Sequence, residues 1–247
     1  MDHLTISVES GEIFGLLGRN GAGKTTLIKM LTTLLPPTSG TAAIAGFDIR
    51  RQSAYVRRVI GYVPQLVSAD GQLTGYENLR VFARLYDIPR AERAVRIKDA
   101  LAFMDLESVG DKMVRTYSGG MIRRLEIAQC MLHRPRVLFL DEPTVGLDPV
   151  ARDAVWERIV LLRKTYGATI FLTTHYMEEA DELCDQIALM HLGKLTATGT
   201  PAELKASIGG GEITLDDVFE HYTGGSLDSG GSYRETARNR RTARRLG

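Results

Sequence analysis

The sequence predicts an α/β protein with a parallel sheet flanked by helices, and three observations carry that expectation. Short apolar runs bounded by glycines and turn residues alternate with stretches of helical rhythm. Strand and helix in alternation imply parallel strands joined by helical crossovers. A glycine-rich loop separates the first long apolar run from the first helical stretch, and between about 70 and 117 the alternation gives way to helix alone.

The elements follow in order. Leu4, Ile6 and Val8 alternate with polar residues, as in a half-buried strand, before a turn at Glu9-Ser10-Gly11. Ile13–Leu17 is apolar throughout and reads as a strand buried on both faces. A helix is expected over 25–35, stopped by Pro36-Pro37. Short strands are expected at 41–44 and 59–63, punctuated by Gly40, Gly46 and Gly61. Thr74 and Glu77 have the spacing of a capping box, and Leu79, Phe82, Ala83 and Tyr86 share one helical face. A strand at 137–140 follows, then a helix opened by Asp148 and Pro149, a strand at 169–173, a helix at 177–184 and a strand at 186–192. Thr200-Pro201 and Glu203 cap one further helix. Beyond Tyr222 the composition turns to Gly, Ser and Arg, which predicts disorder.

Composition bounds the function. The 247 residues, 44% apolar and 25% charged, are typical of a globular protein with a real core. A formal charge of +1 gives no global attraction to nucleic acid or anionic lipid. Cys130 and Cys184 have no ligand spacing and read as small buried hydrophobes in a reduced compartment. No stretch reaches the ~20 apolar residues of a membrane helix, and Met1-Asp2-His3 does not build a signal peptide. If the task is transport, another chain must supply the pore.

Two motifs carry chemistry. Gly18-Arg19-Asn20-Gly21-Ala22-Gly23-Lys24-Thr25 matches the phosphate loop, between an expected strand and an expected helix. Gly21 and Gly23 let backbone N–H groups turn inward around phosphate oxygens, and the helix N-terminus adds partial positive charge. Lys24 would reach the β- and γ-phosphates, and the Thr25 hydroxyl would ligate Mg²⁺. The apolar run 137–140 ends in Asp141 and Glu142. An acidic pair at a strand end is commonly a turn or cap feature. Coupled to the phosphate loop, it reads as Asp141 holding Mg²⁺ and Glu142 polarising the attacking water.

From here the residues resemble one family. Gln65, Tyr117-Ser118-Gly119-Gly120-Met121, Asp141-Glu142-Pro143-Thr144, Gly146-Leu147-Asp148 and Thr174-His175 are similar, in this order, to the Q-loop, signature loop, Walker B, D-loop and switch histidine of ATP-binding-cassette (ABC) ATPases. The resemblance implies a P-loop NTPase parallel-sheet core with a small antiparallel β subdomain and an inserted helical subdomain at about 70–132. It runs from about Ile6 to Thr223, which implies an ABC ATPase domain over residues 1–223 and leaves 224–247 as an Arg-rich tail. It implies ATP as substrate, with Gly18, Asn20, Gly21, Ala22, Gly23, Lys24, Thr25 and Thr26 around the phosphates, and Mg²⁺ held by Thr25, Gln65 and Asp141. Catalysis falls to Glu142, Gln65 and His175. Ser118, Gly119 and Gly120 of a second subunit would face the γ-phosphate across a two-fold axis, and Asp148 would cross that interface. The implied partners are a second ATPase subunit and a membrane-spanning permease, which would hold the chain peripherally on the cytoplasmic face of the membrane, with no nucleic acid involved. His133, His191 and His221 are given no role.

The finer pattern departs from the commonest form. Tyr117 and Met121 replace the usual Leu and Gln of the signature loop. With Arg123-Arg124-Leu125 and Leu215-Asp216-Asp217-Val218-Phe219 this resembles the drug and antibiotic exporter branch of the daunorubicin-resistance type. Leu215 and Val218 are equally readable as the apolar face of a terminal helix. ABC ATPases carry a further strand ahead of the one expected at Leu4, with an aromatic that stacks on adenine, so either that unit precedes this sequence or adenine is held less well. Rival classes are a soluble ABC ATPase acting on ribosomes or DNA and a degenerate nucleotide sensor. Lys24, Asp141, Glu142 and His175 weigh against the sensor. Arg234, Arg238, Arg240, Arg241, Arg244 and Arg245 face a single nearby acid, Glu235, and read either as a solvated terminus or as a contact for anionic lipid.

Overall fold

The computed structural model describes residues 1–209 and 212–224. Its main sheet has six strands: β1 (Ile13–Leu17), β4 (Ile60–Val63), β5 (Val137–Asp141), β6 (Thr169–Thr174), β7 (Gln186–His191) and β8 (Lys194–Gly199). They lie in the order β4-β5-β6-β1-β7-β8, all parallel except β8, which returns antiparallel beside β7. The apolar run of β1 is buried at every position because strands flank it on both sides and helices cover both faces. Alternate residues feed two cores. Ile13 and Leu17 join one cluster with Leu140, Leu172 and Val155. Phe14 and Leu16 join the other with Ile28, Phe139 and Phe171, where the Phe14 and Phe171 rings stack at 5.2 Å.

The remaining elements cover these faces. α1 (Lys24–Leu31) follows β1, and β2 (Ala43–Ile44) pairs antiparallel with β3 (Phe47–Asp48) ahead of α2 (Ser53–Val59). Ala45 and Gly46 both have positive φ, 50° and 87°, as a two-residue turn matched to strand twist requires. α3 (Gly75–Leu85), α4 (Arg90–Phe103) and α5 (Gly119–Met131) fill the interval between β4 and β5. Thr74 and Glu77 make both bonds of the capping box. α6 (Pro149–Tyr166) follows β5, α7 (Met177–Leu183) follows β6, and α8 (Pro201–Ala206) and α9 (Leu215–Thr223) complete the described chain. The Arg-rich segment lies outside the described residues. None of the described helices is long and apolar enough to cross a membrane.

Several sequence expectations are corrected. Residues 4–8 form no strand: Leu4, Ile6 and Val8 are half-buried against the Phe14 cluster, in the expected alternation, but no described strand pairs with them. α1 stops at Leu31 rather than at 35 because Thr33 takes a left-handed φ of 65°. β7 ends at His191 because Leu192 and Gly193, at φ 47° and 79°, make the turn into β8. β8 and α2 were not expected. β8 offers only the weak apolar alternation of Leu195 and Ala197, and α2 buries a single residue, Val56.

The outer edge of β4 is closed by side chains. The Arg136 N–H donates to Val59 O toward β5, and the alternate carbonyls point the other way. Two of them are taken: His133 Nε2 donates to Ile60 O at 2.9 Å and the Cys130 thiol donates to Tyr62 O at 3.1 Å.

Candidate functional site

Parallel topology brings the chemistry to one end of the sheet. Leu17 pairs with Thr174 and Asp141 with Thr173, so β1, β5 and β6 deliver the phosphate loop, the acidic pair and His175 to the same carboxyl edge. Gly18 leaves β1 buried, where a Cβ would lie 2.4 Å from Met190 O, so only glycine fits. Gly21 and Gly23 sit at φ 83° and 111°, the left-handed region that a phosphate-cradling loop needs. Ala22 is buried beneath the loop, while Asn20, Gly21 and Thr26 are exposed.

The charged groups form one connected cluster. Lys24 is 4% exposed, donates to Gly18 O at 2.6 Å and pairs with Glu142 Oε1 at 3.0 Å. His175 Nδ1 donates to the other carboxylate oxygen, Glu142 Oε2, at 2.9 Å. Glu142 itself has φ 48°, strained for a non-glycine residue. Burial pushes the Glu142 carboxyl up, but His175 and Lys24 together outweigh it and hold the pKa below its ordinary 4.5. The residue is thus an anion at neutral pH, as a group that polarises water must be. Asp141 Oδ1 accepts from Thr25 Oγ1 at 3.2 Å and from Thr173 Oγ1 at 2.6 Å, whereas Asp141 Oδ2 is buried with no hydrogen-bond partner. An unpartnered buried carboxylate oxygen beside a threonine hydroxyl fits a hard divalent cation such as Mg²⁺. Burial and the nearby Asp141 carboxylate push the Tyr62 phenol up to about 12.

A cleft of about 260 Å³ opens over this cluster, lined by Asn20, Gly21, Lys24, Thr25, Gln65 and Glu142 among others. Ser118, Gly119, Gly120 and Asp148 do not line it. They gather at a second place: a Cβ on Gly119 would meet Leu147 at 3.1 Å, and one on Gly120 would meet Ala151 at 2.8 Å. Ser118 caps α5 by accepting from Met121 N–H, and Asp148 caps α6 by accepting from Ala151 N–H. Two helix N-termini thus lie side by side, with Ser118, Gly119 and Asp148 exposed.

The candidate residues therefore fall into two groups: the phosphate loop, Gln65, Asp141, Glu142 and His175 at one, Ser118–Gly120 and Asp148 at the other. A model for the family described as ABC transporter matches residues 1–145. The chain belongs to the ABC transporter family. It is 45% identical over 215 residues to the daunorubicin resistance ATP-binding protein DrrA3 of Streptomyces coeruleorubidus, covering 87% of this chain and 68% of that one. It is also 45% identical over 204 residues to the Nod factor export ATP-binding protein I of Cupriavidus metallidurans, covering 83% of this chain and 67% of that one. The chain thus spans about two thirds of the length of these relatives. A solved structure of an ATP-binding subunit of an ABC transporter superposes with a TM-score of 0.77 at 32% identity, covering 89% of this chain and 91% of that one. This chain is an ATP-binding subunit of that family, with its parallel-sheet core, small antiparallel hairpin and helices.

Sequence reasoning missed three supports of this cassette. Thr173, fully buried, donates to Asp141 and accepts the Glu142 N–H at 3.0 Å, fixing both acids at once. It is one of three threonines in β6, with Thr169 and Thr174, so nothing in the sequence singles it out. Glu179, 1% exposed, accepts from Thr144 Oγ1 at 2.8 Å and Trp156 Nε1 at 2.9 Å, tying the turn after Glu142 to α6 and α7. Arg123 enters the sequence reading only through its place after the signature loop, and Glu126 does not enter it at all. They pair at 3.0 Å inside the molecule.

Proposed function

We propose that the chain hydrolyses ATP with Mg²⁺ and couples that reaction to a separate membrane-spanning subunit exporting drugs, antibiotics or lipid-like compounds. The observation that carries the reading is Glu142, an anion held by Lys24 on one side and His175 on the other beside the phosphate loop. Lys24 and the loop N–H groups would bind the phosphates, and Gln65 and Glu142 would orient the attacking water, Glu142 taking its proton. Arriving γ-phosphate would compete with Glu142 for Lys24, freeing the carboxylate for water. His175 would hold the carboxylate in place and meet the γ-phosphate. Thr25, Gln65 and Asp141 would hold Mg²⁺, which neutralises charge between the β- and γ-phosphates.

The separation of Ser118–Gly120 and Asp148 from the cleft supports a composite site, in which these exposed helix N-termini close over the nucleotide of a second subunit. Leu66 and Val67, 82% and 64% exposed directly after Gln65, supply apolar surface on which a permease could dock. Such docking would place the chain on the cytoplasmic face of the membrane. Glu142→Gln should keep ATP binding, slow hydrolysis by ~10² to 10⁴, and elute as a dimer with ATP but not without it. Hydrolysis at the parental rate would overturn the assignment. Copurification from membranes should recover a polytopic partner, and recovery of ribosomes or DNA instead would refute the coupling.

A further inference from the structure

We propose that Arg123 and Glu126 are positioning residues that lock the loop carrying Gln65 to the helix carrying Ser118–Gly120, so that what one chain contributes to its own site and to its partner's site moves together. The inference rests on the function proposed above.

Both side chains are buried, 6% and 1% exposed. Arg123 Nη1 donates to Pro64 O at 2.8 Å and to Glu126 Oε2 at 3.0 Å, and Nη2 donates to Gln65 O at 3.2 Å. Glu126 Oε1 in turn accepts from Ser68 Oγ at 2.9 Å and from the Ser68 N–H. The pair thus grips one loop at both ends, at the carbonyls of Pro64 and Gln65 and at the amide of Ser68. The Gln65 side chain lines the cleft and is exposed, so its placement depends on the main chain that Arg123 holds.

Burying two opposite charges is seldom the cheapest way to fill a core, since apolar residues of like volume commonly do as well or better. What a forked guanidinium adds is direction, two donors fixed in one plane on neighbouring carbonyls. Arg123 lies five residues after the Ser118 cap, about 7.5 Å along the same helix at 1.5 Å per residue. A shift of the α5 N-terminus toward a phosphate would therefore carry Pro64 and Gln65 with it. Gln65 would be aligned for hydrolysis only while Ser118–Gly120 are engaged.

Arg123→Lys keeps the charge beside Glu126 and loses the fork, so folding is retained while positioning is lost. It should lower kcat about tenfold, the effect of one charge-assisted bond, with KM for ATP changed by less than about twofold. In a Gln65→Ala background the same change should have no further effect on kcat, because Arg123 acts through Gln65. Hydrogen exchange at amides 65–68 should quicken while that of β5 does not. Multiplicative losses in the double variant, or unchanged exchange at 65–68, would overturn the tie. A parent chain that hydrolyses no ATP would count against the proposed function instead, and the exchange measurement, which needs no turnover, would then decide the tie alone.

Discussion

Glu142 concentrates a strained φ, a buried cation and a histidine on one side chain, and Thr173 is the residue that holds it there. Thr173→Val removes the hydroxyl that Asp141 and the Glu142 amide share while keeping the shape of the strand. Its kcat should fall roughly 10- to 100-fold, as expected for a lost hydrogen bond to a charged group. Thr173→Ser should retain most activity, and equal rates for the two variants would refute the role. Glu179 gives a pH test. Burial raises its carboxyl above the ordinary 4.5, against hydrogen bonds from Thr174, Thr144 and Trp156. A raised folded pKa means that this group's contribution to stability is full below the unfolded pKa and is lost as pH rises through the folded one. The stability of Glu179→Gln relative to the parent should therefore grow as pH rises above the ordinary 4.5, as chemical denaturation at a series of pH values would measure. Lys24, Asp141 and Glu142 were legible because a phosphate loop and a strand-terminal acidic pair are spaced as the chemistry needs, and His175 was legible through the family resemblance. Thr173 and Glu179 were not, since a buried threonine or glutamate declares its partner only once strands and helices are packed.

At the scale of elements, close approach decides what the sequence can hold. β1 passes so near α7 that a Cβ on Gly15 would lie 2.6 Å from Cys184 Sγ. Gly15→Ala should cost about 1–3 kcal/mol by overpacking, and adding Cys184→Ala should recover much of it. A simple sum of the two single effects in thermal melts would show that the contact does not couple them. A strand buried on both faces, such as β1, was readable as an unbroken apolar run, and the capped helices α3, α6 and α8 announced their first residues. β8 and α2 stayed hidden because each leaves most of its residues partly or wholly exposed, so hydrophobic period had little to print. The half-burial of Leu4, Ile6 and Val8 shows the converse, an alternation that reports packing without a ladder.

The whole molecule divides its chemistry between two surfaces, and that division predicts complementation. Lys24→Ala and Gly119→Asp chains should each be inactive alone, whereas a mixture should hydrolyse ATP, because one site of the mixed dimer keeps both its halves. Placing both changes in one chain and pairing it with the parent should give mixed dimers without activity. Failure of the separate variants to complement would refute the composite site. A protein that works beside copies of itself must also avoid the wrong kind of association. The carbonyls of Ile60 and Tyr62 along the rim of β4 are occupied by His133 and Cys130, so that rim offers little template for another strand. Replacing both side chains with alanine would reopen it. Light scattering during prolonged incubation should then rise with protein concentration, as fibrous or amorphous growth proceeds from a protein whose cassette still binds nucleotide, and thiol-alkylating reagents that force Cys130 out should do the same to the parent.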